Sequence, residues 1–264
     1  MSHHGPLAAG VESPKARRAC PIVVLALLAS LAASLALDGY LVRLGHRYQQ
    51  ATEAIRLDPS GLKVYASERS KSASDSPVLV FFGDSRAAMW PAPDGPAGYR
   101  VVNRGVGYQT TAQILLRLDD DVARLRPAVV VLEGGVNDLK AIADFPDRRR
   151  EIVADCEANL RQIVARCRET GAKVVLVSIF GIGDLSLWRR PFWSKEVSAA
   201  VGEVNAFLPT LAGPQVVVFD ANLVLTDGSG GIQHAYQLDH LHLTSTGYAA
   251  LNRSLVPLIR ALSR

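Results

Sequence analysis

The chain has 264 residues, 48% hydrophobic and 20% charged, which suits one sizeable core and excludes a disordered or fibrous protein. Its formal charge of +4 comes from Lys and Arg interspersed with Asp and Glu, with no basic stripe interleaved with aromatics, which argues against nucleic acid as a partner. Three cysteines, Cys20, Cys156 and Cys167, leave at least one unpaired, and no C-x-x-C metal motif is present. If Cys156 and Cys167 share a helix, they stand ~16 Å apart, too far for a bridge.

The first elements differ in kind from the rest. A basic leader, residues 1–20, carries Lys15, Arg17 and Arg18 ahead of the uncharged run PIVVLALLASLAASLAL, residues 21–37, which Asp38 closes. Positive charge before an apolar run predicts a cytoplasmic N-terminus and an exported remainder. The run is at the short edge of what spans a bilayer, and Ser34-Leu35-Ala36 offers small residues for cleavage. A membrane anchor over residues 21–38 and a removable signal peptide both fit, whereas a buried core helix would leave the flanking charges without a role. Tyr40 to Leu57 keeps near-helical spacing until Asp58-Pro59-Ser60-Gly61, which predicts a stalk helix. ASERSKSASDSP, residues 66–77, has the composition of a linker, so residues 39–77 are expected to lead into a domain over 78–264.

From Val78 the pattern alternates. Short β-branched runs at 78–82, 99–103, 128–133, 173–179 and 215–220 predict five strands. Between most of them, residues 111–125, 150–170 and 194–211 have helical periodicity, and a last helix is expected from Thr246 to Leu262, with a kink at Pro257. Continuous apolar strands separated by amphipathic helices predict an α/β domain with a parallel sheet covered on both faces. Ligands of such sheets bind beyond the carboxyl ends of the strands.

Polar residues cluster at those ends. After the first strand, GDS at 83–85 holds a serine on a glycine-started turn beside the partly positive start of a helix, although helix capping by Asp84 or Ser85 fits the same residues. After the second, NRGVGYQTT at 103–111 provides Gly105 and Gly107, which let backbone approach a ligand closely. A dinucleotide fingerprint would need glycine where Thr110 stands, which argues against that cofactor. After the third, GGVNDLK at 134–140 offers the side-chain amide of Asn137, in a turn that Asn-Asp pairs also form for structural reasons. After the fifth, Asp239 and His242 have a spacing that can hold a carboxylate against an imidazole and leave the other ring nitrogen free for a serine hydroxyl. A metal site from His234, Asp239, His240 and His242 is the rival reading, and it leaves Ser85 and Asn137 without a role.

Taken together, GDS at 83–85, NRGVGYQTT at 103–111, GVND at 135–138 and DHLH at 239–242 resemble the four blocks of the SGNH hydrolases, also called GDSL esterases and lipases. The resemblance runs from Val78 to Leu262 and misses the N-terminal segment. It implies a three-layer, flavodoxin-like α/β/α sandwich on a five-stranded parallel sheet, here preceded by an N-terminal hydrophobic helix. It further implies Ser85 as nucleophile, His242 as general base and acid, Asp239 as its orienting partner, and no metal or organic cofactor. The oxyanion hole would comprise the Ser85 N–H, a second-block N–H and the Asn137 amide. In the second block the family's usual glycine falls on Tyr108, with Gly107 one position earlier; Gly107 is the expected donor and Tyr108 the alternative.

The expected protein is thus an exported, membrane-tethered serine esterase, periplasmic or extracellular, acting on a small-molecule, lipid or polysaccharide ester. Transfer or removal of acyl groups on envelope polysaccharide by the same site, and a weakly catalytic binding module, are the alternatives. Trp90, Trp188, Phe192 and Trp193 fall near expected loops, where they can line a substrate site or simply pack.

Overall fold

The computed structural model describes residues 20–68, 76–93, 98–185, 193–227 and 231–262. The leader ahead of Cys20, and Trp188 and Phe192, lie outside the described residues.

Two compact units divide between Arg56 and Leu57. The first contains all but the last residue of α1 (Pro21–Leu57), a helix in which no residue is buried. Ile22, Leu25, Leu28, Leu31 and Leu35 are all exposed, and the helix is long and apolar enough to cross a membrane.

The second unit is built on five parallel strands, β1 (Val78–Gly83), β2 (Arg100–Gly105), β3 (Val129–Glu133), β4 (Lys173–Val177) and β5 (Val216–Phe219), in the order β2-β1-β3-β4-β5. The predicted α/β sandwich is therefore the observed fold. Central strands read as continuous apolar runs because both faces are covered: Val80 and Phe82 of β1 enter one core layer, Leu79 and Phe81 the other. The first layer is closed by α3 (Thr111–Leu116), α4 (Leu118–Asp121), α5 (Val136–Lys140), α6 (Arg149–Glu169) and α7 (Lys195–Phe207). The second is closed by α8 (Asn222–Leu225) and α9 (Ser245–Leu262), whose Tyr248, Leu251, Leu255 and Ile259 repeat at helical spacing and face the sheet. Pro257 lies inside α9, which continues to Leu262. Cys156 and Cys167 are buried and unpaired on α6.

Two expectations need correction. Residues 111–125 do not form one helix: α3 ends at Arg117 (φ −98°, ψ 2°), α4 follows, and Ala123–Leu125 is a 3-10 turn. The break lets the buried Arg117 guanidinium donate to the carbonyls of Gly83 and Arg104, each at 2.6 Å, satisfying strand-end acceptors that apolar periodicity does not register. The domain also begins before Val78. Residues 57–68 dock onto it: Tyr65 donates its hydroxyl to Gly105 O at 2.6 Å, Gln109 donates to Ser60 O at 2.8 Å, and Arg104 pairs with Glu68 at 2.8 Å. Linker-like composition hides these contacts because one aromatic and one carboxylate make most of them.

Candidate active site

From β1 the chain crosses to β2 on one side, and then to β3 on the other, so the strand order reverses at β1. A crevice opens there beyond the carboxyl ends, where doubly wound sheets place ligands. Register sets Gly83 level with Gly105 and with Glu133. A Cβ on Gly83 would lie 1.6 Å from Glu133 O, and one on Gly105 would lie 2.0 Å from Ala88 N, so only glycine lets the turn after β1 settle onto its neighbours. That turn leads into the short helix α2 (Ser85–Ala88). Asp84 caps it, accepting the Arg86 N–H at 2.8 Å, and Ser85 occupies the first position.

The Asp239–His242 turn is made by its own aspartate. Asp239 Oδ1 accepts the N–H of Leu241 at 2.7 Å and of His242 at 2.9 Å. The same carboxylate faces the imidazole, with Oδ2 2.9 Å from Nδ1, while Nε2 lies 2.9 Å from Ser85 Oγ. Partial burial works to raise the Asp239 carboxyl; the bonds from the His242 ring and the two backbone N–H groups outweigh it and hold the group at about 2. Asp239 is therefore an anion at neutral pH. An anion so placed favours the ring proton on Nδ1, the tautomer that would leave Nε2 as an acceptor facing the serine hydroxyl. Arg86 ties the two turns together: its buried guanidinium stacks on Phe180 and donates to Leu241 O at 3.0 Å and Phe180 O at 2.9 Å.

The second and third blocks close the crevice. A Cβ on Gly107 would stand 3.9 Å from Ser85 Cβ, so this backbone passes against the serine. The N–H groups of Ser85, Gly107 and Tyr108 have no acceptor among the described residues. Asn137, buried in the first turn of α5, directs Nδ2 toward Gln109 O at 3.0 Å and Asp84 Oδ2 at 3.3 Å. Next to it an open cleft of about 470 Å³ is walled by Thr110, Asp138, Ile152, Asp155 and Asn159.

The GDSL-like lipase/acylhydrolase family model matches residues 81–250. The chain belongs to this family. Among curated proteins it is 30% identical over 165 residues to esterase TesA of Pseudomonas aeruginosa, covering 62% of this chain and 71% of TesA. It is 27% identical over 194 residues to human platelet-activating factor acetylhydrolase IB subunit alpha2, covering 70% of this chain and 77% of that subunit. A solved GDSL-like lipase of Bacteroides thetaiotaomicron superposes with a TM-score of 0.59 at 21% identity, over 76% of this chain and 98% of its own. As a GDSL-family member the chain is a serine hydrolase acting on ester bonds.

Where this GDSL chain departs from the family's usual glycine, Tyr108 takes a left-handed backbone conformation with φ 66°. Its ring is 84% exposed beside Lys140, whose Nζ lies 5.6 Å from the ring centroid, so it stands at the rim and narrows no enclosed pocket. The left-handed conformation costs a non-glycine residue about 1–2 kcal/mol, against ~0.5 kcal/mol from an exposed cation–π contact. Tyr108→Gly is therefore expected to raise the urea midpoint of unfolding, by about 0.5–1 kcal/mol of stability. An unchanged or lower midpoint would show that the ring contacts outweigh the strain.

Other candidates behave differently. His240 packs edge-on against Trp193, ring centroids 6.2 Å apart, and among the described residues no cluster of metal-ligating side chains forms. Trp90 is 2% exposed, packed between the tilted rings of Phe81 and Tyr248, with its indole N–H on Asn252 Oδ1 at 2.7 Å; it belongs to the core. Sequence reasoning missed Arg86, Arg117 and Glu133, charged residues that are buried beneath the site. It also passed over the side chain of Asn103, which receives Gly105 N–H at 2.8 Å and donates to Ala87 O at 2.7 Å, pinning the second block to the serine turn.

Proposed function

We propose that the chain is an exported, membrane-tethered esterase that hydrolyses carboxylic esters through an acyl-enzyme on Ser85. The observation that carries this reading is the continuous chain of contacts from Ser85 Oγ through His242 to the Asp239 carboxylate, 2.9 Å at each end of the ring. In the first half-reaction His242 Nε2 takes the Ser85 proton as Oγ bonds to the ester carbonyl carbon. The negative charge passes to the carbonyl oxygen, where the N–H groups of Ser85 and Gly107 and the Asn137 amide receive it. Gly107 is preferred because its backbone passes against the serine, a Cβ there standing 3.9 Å from Ser85 Cβ. The ester C–O bond then breaks and the alcohol leaves with the proton from His242. A water molecule repeats the sequence on the acyl-enzyme: it gives a proton to Nε2, and Ser85 recovers that proton as the acid departs.

Tethering is supported by α1, whose apolar residues 21–37 are exposed all round and which continues unbroken to Leu57. Such a helix suits a lipid surrounding. Basic residues ahead of it support a catalytic domain on the outer side. Asp138, Asp155 and Asn159 on the wall of the open cleft beside Asn137 favour short acyl groups or hydroxylated alcohols over long lipid tails.

The test is one preparation of membranes from cells expressing the full chain, washed with high salt and assayed on p-nitrophenyl esters from acetate to palmitate. Activity that stays in the pellet and peaks at short esters is expected. Activity released by the wash contradicts the tether, and a peak at palmitate contradicts the short-chain reading. A folded chain inactive on every ester, yet moving acyl groups to a sugar, would replace hydrolysis with transfer.

A further inference from the structure

Glu133 and Asp84 lie under the nucleophile, 1% and 0% exposed, and their backbones meet at the strand ends, where the Asp84 N–H donates to Glu133 O at 3.3 Å. Two acids buried together in a dry site repel one another unless one carries a proton, and a protonated carboxyl can then donate to its neighbour. Arg86 is the buried cation beside them, but it gives its N–H groups to the carbonyls of Leu241 and Phe180, and its nearest approach to Glu133 Oε1 is 3.8 Å. Neither Glu133 oxygen has a donor among the described residues. Asp84, in contrast, accepts the Arg86 N–H at 2.8 Å and lies 3.3 Å from Asn137 Nδ2. With both acids ionised the dry cluster would carry one uncompensated negative charge; one proton, on Glu133, balances it against Arg86.

We propose that Glu133 is a positioning residue: as a neutral carboxylic acid it donates its O–H to Asp84, so that Asp84 leaves one N–H of Asn137 free to reach the oxyanion. Asn137 has two amide hydrogens, and Gln109 O holds the nearer at 3.0 Å. The other points along the longer contact to Asp84 and is the one that can turn toward substrate. An Asp84 already receiving the Glu133 proton has less need of it. The assignment rests on the proposed role of Asn137.

The surroundings agree in direction. Burial drives the Glu133 carboxyl well above its ordinary value and the charge of Asp84 adds to this, with Arg86 opposing. Burial also raises Asp84, against Arg86 and His242; Lys140, Asp138 and Tyr248 are the other titratable groups that act on the pair. A carboxyl group raised on folding stabilises the fold fully below its unfolded value, and this contribution disappears as pH rises through the folded one. Wild type is thus expected to lose stability toward alkaline pH relative to Glu133→Gln, which keeps an N–H donor and cannot ionise.

The experiment uses the full chain in detergent and compares wild type, Glu133→Gln and Glu133→Leu. Infrared spectra should show the carbonyl stretch of a buried carboxylic acid in wild type and not in Glu133→Gln. Glu133→Gln should keep the neutral-pH kcat and lose part of the alkaline fall, while Glu133→Leu should lower kcat by about 10²-fold with KM little changed. Absence of that band, or a kcat for Glu133→Gln as low as for Glu133→Leu, overturns the proposal. If Glu133→Leu fails to fold, the band and the Glu133→Gln pH profile decide. Loss of the Asn137 role would appear separately, as an Asn137→Ala enzyme with unchanged kcat while the Glu133 band persists.

Discussion

Alanine at Ser85 is expected to lower kcat on p-nitrophenyl esters by about 10⁶-fold, the scale on which a triad nucleophile acts. Stability should stay within ~0.5 kcal/mol, because Oγ is a single half-buried atom whose described contact is with the His242 ring. The turn that presents it does not depend on Oγ. Gly83 and Gly105 hold the close approach of backbone, and Asp84 caps α2. Residual turnover above the uncatalysed rate is expected, since the N–H groups around the crevice and substrate binding survive. Steady-state kinetics beside a thermal melt checks both halves of the statement, and a folded variant with more than a small fraction of wild-type kcat contradicts the role of Ser85.

Asp239→Asn should be nearly as damaging, on the order of 10⁴-fold in kcat at neutral pH. The asparagine carbonyl can still accept the N–H groups of Leu241 and His242, so the turn is kept. Its NH₂, however, faces Nδ1, which must then accept. The ring proton moves to Nε2, and Ser85 faces a donor where it needs a base. In wild type the carboxyl sits at about 2, so it is ionised throughout any working range. The stabilising effect of the lowered carboxyl is complete above its unfolded value and is lost only as pH falls through about 2. A pH–rate profile of the variant is the check: a loss of less than ten-fold with an unchanged profile would mean that Asp239 holds the loop and does not set the tautomer.

Much of this architecture is legible in the sequence because it rests on local pattern. β1 and β3 are buried at every position and apolar but for the closing Glu133 of β3, and the first and third blocks follow their strands directly. Asp239 and His242 meet through a turn that the aspartate builds for itself, which is why a three-residue spacing was informative. What escaped notice depends on partners distant in the chain. Arg117 interrupts a helical pattern to reach Gly83 O, thirty-four positions away, and Tyr65 docks a linker-like segment onto Gly105. Trp90 reads as a loop residue yet fills the core beside Tyr248. Glu133, at a strand end, reads as the polar stop of an apolar run, and nothing local announces that Asp84, forty-nine residues earlier, will be buried beside it in a dry pocket.

The central claim is that Ser85 forms the covalent intermediate, and the most direct measurement is labelling of the full chain with a fluorescent phosphonate followed by peptide mass mapping. The account predicts one adduct per chain, on Ser85, absent in Ser85→Ala and strongly slowed in Asp239→Asn. An adduct on another residue, or none on a folded chain that hydrolyses esters, would contradict it.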